Sequence, residues 1–184
     1  WSIYLLGLNS DTQAHVAAEA IEHLKGGEIP EFDALKALKS TQQVFMEALR
    51  LYPPVGFYPR KATKDVMIRD KQVKAGDCVV ASSWLLQRHE LLWEKPSNFC
   101  PARFDTTSSR GGSVPKHAYI PFGLGQRVCI GAAFARQEAL LILSTIFAKY
   151  SVSISLGFKP KPVGRLTIRS ENGMRVSLTP RITI

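Results

Sequence analysis

Residues 121–131, Pro-Phe-Gly-Leu-Gly-Gln-Arg-Val-Cys-Ile-Gly, constrain this chain more than any other stretch. Gly123 and Gly125 permit backbone conformations that a Cβ forbids, and they let the main chain approach something flat or bulky. Cys129 closes the loop, and from Ile130 onward the apolar spacing predicts helix. A cysteine at a helix start meets free N–H groups and the positive end of the helix dipole, which favours thiolate over thiol. Arg127 adds a fixed positive charge. Any fold that accepts this stretch must deliver a cysteine on a glycine-rich turn to the head of a helix.

A thiolate held in this way is a nucleophile or a metal ligand. The nucleophile needs a basic partner, for which His117 is a candidate by sequence distance. Zinc needs further Cys or His at ligand spacing, and Cys78, Cys100 and Cys129 lie too far apart for a knuckle. A lone cysteine with small residues before it and a cationic flank suits one axial bond to a haem iron. The plain alternative is a core cysteine beside a glycine turn. Gly123-x-Gly125 lacks the third glycine and the preceding strand of a dinucleotide loop. Phe122-x-x-Gly125-x-Arg127-x-Cys129-x-Gly131 resembles, at every fixed position, the haem-binding signature of the cytochromes P-450, the haem-thiolate monooxygenases.

A second block supports the same resemblance. Ser40-x-x-Gln43 has the form of a capping box and opens a helix that has to stop before Pro53-Pro54. Glu47 and Arg50 fall at i,i+3 on one face, which alone describes a surface pair of little worth. With Leu51-Tyr52-Pro53-Pro54 behind it, the block resembles the K-helix motif of that family. Pro101-Ala102-Arg103-Phe104 resembles the segment whose arginine joins this pair in a buried three-way ion network, although Ala102 stands where the family often has Glu. Burying Glu47 is costly unless guanidinium groups satisfy it. Glu47, Arg50 and Arg103 are therefore expected to be a folding lock and to take no part in the chemistry.

The resemblance implies a mainly α fold with small β-sheets (α+β), the C-terminal, haem-anchoring part of a larger fold, with residues 1–184 as a single partial domain. It implies a haem (iron protoporphyrin IX) whose iron is bound by the Cys129 sulfur, with thiolate donation favouring O–O cleavage. Phe122 would pack on the haem, Gly123 and Gly131 would shape its loop, and Arg127 and Arg60 would pair with its propionates. Val55, Phe57, Leu166 and Thr167 match segments that touch substrate, and their apolar character implies a hydrophobic one. Electrons would come ultimately from NAD(P)H through a ferredoxin- or flavin-type donor at a basic face. The family's oxygen-activating acid–threonine pair would lie upstream of Trp1, leaving no catalytic residue in this chain. A truncated, non-catalytic haem-binding remnant is the alternative.

Composition narrows the remaining classes. The net charge is +9, and residues 159–184 hold Lys159, Lys161, Arg165, Arg169, Arg175 and Arg181 against Glu171 alone. Single charges among strand-like residues, without aromatic interleaving, fit an acidic redox protein better than nucleic acid, and fit a merely solvated surface equally well. No run of roughly eighteen apolar residues is present, so no membrane span is expected. An odd number of widely spaced cysteines fits a reducing compartment, hence a cytoplasmic setting. Trp1 begins mid-pattern without a cap or signal-peptide features, as expected of a fragment.

Further elements follow from periodicity. A first helix should end near Gly7 to Asn9, and Ser10-x-x-Gln13 should box the next, with Ala14, Ala17, Ala18, Ile21 and Leu24 as its inner stripe. Gly26-Gly27 should end that helix, Pro30 should begin a turn, and Asp33 should cap a short helix. Val66–Ile68 should pair with Cys78–Ala81, leaving Cys78 as inert core, and Ser83 should cap a short helix. Residues 105–115 read as loop. Ala132, Ala135, Ala139, Ile142, Leu143 and Ile146 should line a helix through about Lys149. Residues 166–168 and 174–178 should form a hairpin about Asn172-Gly173.

Overall fold

The computed structural model describes residues 1–24, 33–106 and 114–181. Its helices are α1 (Ser2–Gly7), α2 (Ser10–His23), α3 (Lys39–Leu51), the short α4 (Ser83–Leu86) and α5 (Ala132–Lys149). Its strands are β1 (Tyr58–Lys61), β2 (Val66–Ile68), β3 (Lys71–Val73), β4 (Cys78–Ala81), β5 (Tyr150–Ile154), β6 (Pro162–Gly164), β7 (Ile168–Ser170) and β8 (Val176–Pro180). They pair as antiparallel two-stranded ribbons, β1 with β4, β2 with β3, β5 with β8 and β6 with β7. This is the α+β organisation expected from the sequence.

The core lies where the longer helices meet the β5 ribbon. Leu6 of α1, Val16 of α2, Val44 of α3, Leu143 and Phe147 of α5 and Val152 of β5 form one buried cluster. The inner face of α2 is rotated from the expected stripe. Gln13, Val16, Ala17, Ala20 and Leu24 are buried, whereas Ile21 is exposed along with Ala14 and Ala18. Gln13 explains the difference, because it does not form a capping box. Its Nε2 donates to Leu6 O and Val152 O, each at 2.9 Å, and its Oε1 accepts from Val152 N at 2.8 Å. A glutamine so satisfied can be buried at little cost, and that turns Val16 inward. On α5, Leu140, Leu143, Ser144 and Phe147 are the buried positions, and Ile142 is exposed.

The second predicted capping box is also absent. The N–H groups of Ser40 and Thr41 donate to the Glu19 carboxylate of α2 at 2.7 and 2.9 Å, and Thr41 Oγ1 adds a third bond at 2.8 Å. A neighbouring helix thus supplies the anionic cap that Ser40 and Gln43 were expected to provide. Asp33 precedes a 3₁₀ turn, Ala34–Ala37, and its carboxylate pairs with Lys36 without capping the turn. Ser82 is the residue that caps α4, accepting from Leu85 N at 3.1 Å. The features expected at Gly26-Gly27 and Pro30 lie outside the described residues, as do residues 107–113 of the expected loop.

Both predicted hairpins are re-paired. Ile68 faces Lys71 across a two-residue turn in which Arg69 is left-handed (φ 53°), so β2 takes its nearest neighbour β3. β4 then pairs with β1, matching Arg60 to Val79 and Lys61 to Cys78. Cys78 is exposed, because a two-stranded ribbon does not cover both of its faces. In the C-terminal region, the Asn172 side chain accepts from Lys161 N at 2.8 Å and donates to Lys159 O at 3.1 Å. That binds the 171–173 turn to the β6 side, and β8 returns to β5 from Val176↔Ile154 to Pro180↔Tyr150.

Candidate functional site

The i,i+3 pair on α3 is wholly buried. Glu47 and Arg50 are each 0% exposed, and the Arg50 fork meets the carboxylate through Nε and Nη2, both at 2.7 Å. The remaining Arg50 donors reach Gln87 O (2.8 Å), Pro96 O (2.7 Å) and Asn98 O (3.1 Å). All five guanidinium N–H groups are thereby satisfied, the condition under which a buried arginine is tolerated. Glu47 Oε1 also accepts from Cys100 N at 2.9 Å and from Arg103 Nε at 3.4 Å. Arg103 rides on the 3₁₀ turn Pro101–Phe104 and donates through Nη2 to Lys95 O at 3.0 Å. The three residues singled out in the sequence therefore meet, with main-chain groups of residues 87–100 as their other partners.

The cysteine loop rises from the buried Ile120 and Pro121. Gly123 N donates to Ile120 O (3.1 Å), Val128 N to Gly125 O (3.1 Å) and Cys129 N to Phe122 O (2.8 Å). Gly123 and Gly125 are left-handed, φ 75° and 69°, so a side chain at either would be strained. Phe122 and Gly123 are half-buried, whereas Leu124 to Ile130 are exposed, Cys129 with a free thiol. Helix α5 begins at Ala132, later than the spacing suggested, with Ala132 N on Cys129 O at 3.3 Å. The cysteine consequently stands ahead of the first turn. A Cβ placed on Gly131 would lie 3.9 Å from its Sγ.

Tyr58, at the start of β1, is a residue of this loop's support that sequence reasoning missed. Its Oη donates to Ile120 O (3.0 Å) and Pro121 O (2.9 Å). Burial pushes its phenol up, and the neighbouring Cys129 adds to that while the Gly123 main chain opposes it. In sequence it is one more residue in an extended run, with nothing to distinguish it. Arg127 is exposed in the 3₁₀ turn Gly125–Arg127. Arg60 is exposed on β1 and donates to Pro59 O at 2.8 Å. His117 is exposed and left-handed, φ 64°.

The segments expected to face a substrate are brought together. Ile168 N donates to Pro54 O at 2.7 Å, and a Cβ on Gly56 would come within 2.6 Å of Ile168 Cδ1, so a side chain there would displace the end of Ile168. Phe57, Trp84, Pro162, Gly164 and Ile168 line an apolar cleft of about 230 Å³. Of the four expected contact residues, Phe57 lines it; Val55, Leu166 and Thr167 are exposed in the segments beside it. Trp84 also stacks with Arg88, whose guanidinium carbon is 3.7 Å from the ring centroid and whose pKa is pushed down by burial to about 10.

The donor set around Cys129 limits its chemistry. Among the described residues, no three His, Cys, Asp or Glu side chains are grouped to hold a metal ion. Cys129 can therefore offer one soft bond, and no tetrahedral zinc set is available. Leu124, Val128, Ile130 and Phe134 expose apolar side chains on the same loop and the first turn of α5, at 52%, 53%, 103% and 69%. A single sulfur donor amid uncovered apolar groups fits the face of a planar metal macrocycle. Among the described residues, no helix is long and apolar enough to cross a membrane.

The family model for cytochrome P450 matches residues 1–174. The chain is 35% identical over 181 residues to a cytochrome P450 of Panax ginseng, covering 98% of this chain and 34% of that protein. It is 35% identical over 184 residues to a cytokinin hydroxylase of Arabidopsis thaliana, covering 100% of this chain and 35% of that one. Pentalenene oxygenase of Streptomyces avermitilis is 32% identical over 181 residues, with coverage of 98% and 40%. A crystal structure of a cytochrome P450 superposes with a TM-score of 0.87 at 28% identity, over 98% of this chain and 41% of that one. The chain thus spans a third to two fifths of the length of these curated relatives.

Proposed function

This chain belongs to the cytochrome P450 family, and from that premise we propose that it is the haem-holding part of a monooxygenase that inserts one oxygen atom from O2 into a hydrophobic substrate. Cys129 would hold the haem iron through its sulfur. The observation that carries this reading is an exposed cysteine without companion ligands, on a loop of two left-handed glycines fringed by uncovered apolar side chains. A haem bound there supplies a redox-active iron whose thiolate bond favours O–O cleavage.

The chain's own residues hold and orient. Phe122 and the apolar fringe pack against the macrocycle, and Gly123 and Gly131 keep the main chain close to it. Arg127 and Arg60 carry the fixed charges for its propionates. Phe57 and the cleft beside it offer an apolar wall for substrate, with Val55, Leu166 and Thr167 completing it as further contacts. Glu47, Arg50 and Arg103 take no part in the reaction; they hold the segments from which the cysteine loop rises. The names hydroxylase and oxygenase carried by two relatives support oxygen insertion as the activity of the whole protein. Electrons originating from NAD(P)H arrive through a ferredoxin- or flavin-type donor, for which the net charge of +9 provides a basic docking face. Residues 1–184 act as part of one larger domain, with the oxygen-activating acid–threonine pair upstream of Trp1.

The test is spectroscopic. The whole protein, reduced under carbon monoxide, is expected to show the red-shifted Soret band of thiolate-ligated haem, and Cys129→Ala is expected to lose it. A wild type without the band, or an alanine variant that keeps it, overturns the assignment. A wild type that shows the band but turns over no apolar substrate with an electron donor favours the non-catalytic remnant.

A further inference from the structure

Arg50 of the ion network and Pro121, where the cysteine loop begins, are 71 residues apart in sequence, and a single buried side chain hydrogen-bonds to both regions. Gln87, the residue that ends α4, is 0% exposed. Its amide Nε2 donates to Leu49 O at 3.0 Å and to Arg50 O at 3.1 Å, and its Oε1 accepts from Ile120 N at 2.8 Å. Its own main-chain carbonyl accepts from Arg50 Nη1 at 2.8 Å.

The need for this amide lies in α3. In a continuing helix the Leu49 and Arg50 carbonyls would accept from the N–H groups four residues on. Those residues are Pro53 and Pro54, which have no N–H to give. The two hydrogens on Gln87 Nε2 fill both vacancies. That fixes the orientation of the amide, since the reverse would set two carbonyls against its oxygen and an N–H against its nitrogen. The oxygen is thereby aimed at Ile120 N. From Ile120 the bonds continue into the loop, Ile120 O to Gly123 N and Phe122 O to Cys129 N. Tyr58 Oη holds the carbonyls of Ile120 and Pro121.

We infer that Gln87 is a positioning residue for the Cys129 loop: by replacing the donors that the double proline removes, it locks the segment carrying the loop to the end of α3. A leucine or methionine would fill the same volume but leave two carbonyls and one N–H buried without partners. The inference rests on the haem-thiolate reading for its spectral consequence and on geometry alone for its dynamic one.

Gln87→Met and Gln87→Glu in the whole, haem-loaded protein test it by two measurements. Amide hydrogen exchange at Ile120 and Cys129 is expected to quicken roughly tenfold, with α2 unchanged. The share of the reduced carbon monoxide complex lacking the red-shifted band is expected to rise several-fold. Wild-type exchange and band in both variants overturn the proposal, as does a uniform rise that includes α2. Failure of both variants to fold with haem also overturns it, by placing Gln87 with the folding lock. If the wild type itself lacks the red-shifted band, the haem reading fails, and the exchange data still decide whether Gln87 holds the loop.

Discussion

The ion network on α3 and the cysteine loop carry similar chemistry, a fixed cation near an anionic or ionisable group, and are finished in opposite ways. At Arg50 every donor has a partner inside the chain and no part of the pair reaches solvent. At the loop, Cys129, Arg127 and four large apolar side chains face outward. The network is complete as folded, whereas the loop leaves its side chains facing solvent. A charged cluster that closes on itself can be buried at tolerable cost, whereas clustered exposed apolar groups are the kind of surface on which the haem reading rests.

The contrast can be broken at several points. Glu47→Gln removes the charge that the buried Arg50 and the partly buried Arg103 answer, and is expected to cost about 3–5 kcal/mol and most of the soluble protein. Normal folding with lost turnover, measured by circular dichroism and product formation, would mean that the network is catalytic. Gln13→Leu removes the amide that bonds the N–H and C=O of Val152, while the Leu6 carbonyl keeps Asn9 N at 3.1 Å, and should destabilise by about 1–3 kcal/mol in a urea titration. A wild-type midpoint would show that the rotated face of α2 does not depend on that amide. Cys129→Ala should leave the apo chain within about 0.5 kcal/mol of wild type while abolishing thiolate ligation. A large loss of stability there would turn the open site into a core element. Ile130→Ser should do least to the apo chain, again within about 0.5 kcal/mol, but should weaken haem retention on a desalting column. Unchanged retention would remove the apolar fringe from the binding surface.

Much of this was readable in one dimension. The glycine spacing, the lone cysteine, the E-x-x-R pair and the double proline are local patterns whose physical demands do not depend on distant residues. They pointed to the loop, the lock and the end of α3. Capping and the pairing of β8 were misread because their partners come from elsewhere, whereas β2 went to β3, its nearest neighbour in sequence. Glu19 caps α3 from another helix, Gln13 bonds a strand 139 residues away, and β8 pairs with β5. Tyr58 and Gln87 escaped notice for the same reason, since an isolated tyrosine or glutamine has no pattern of its own.

The sequence by itself determined where the chain can bend to the left, where α3 must end, and which cysteine has a loop built around it. Steric limits at glycine and proline act within a few residues. Only the tertiary structure decided that Glu47 and Arg50 are buried, that Gln87 supplies the hydrogen bonds two prolines withhold, and that Cys129 stays open to solvent. Satisfaction of a buried polar group depends on whatever the fold brings within about 3 Å of it.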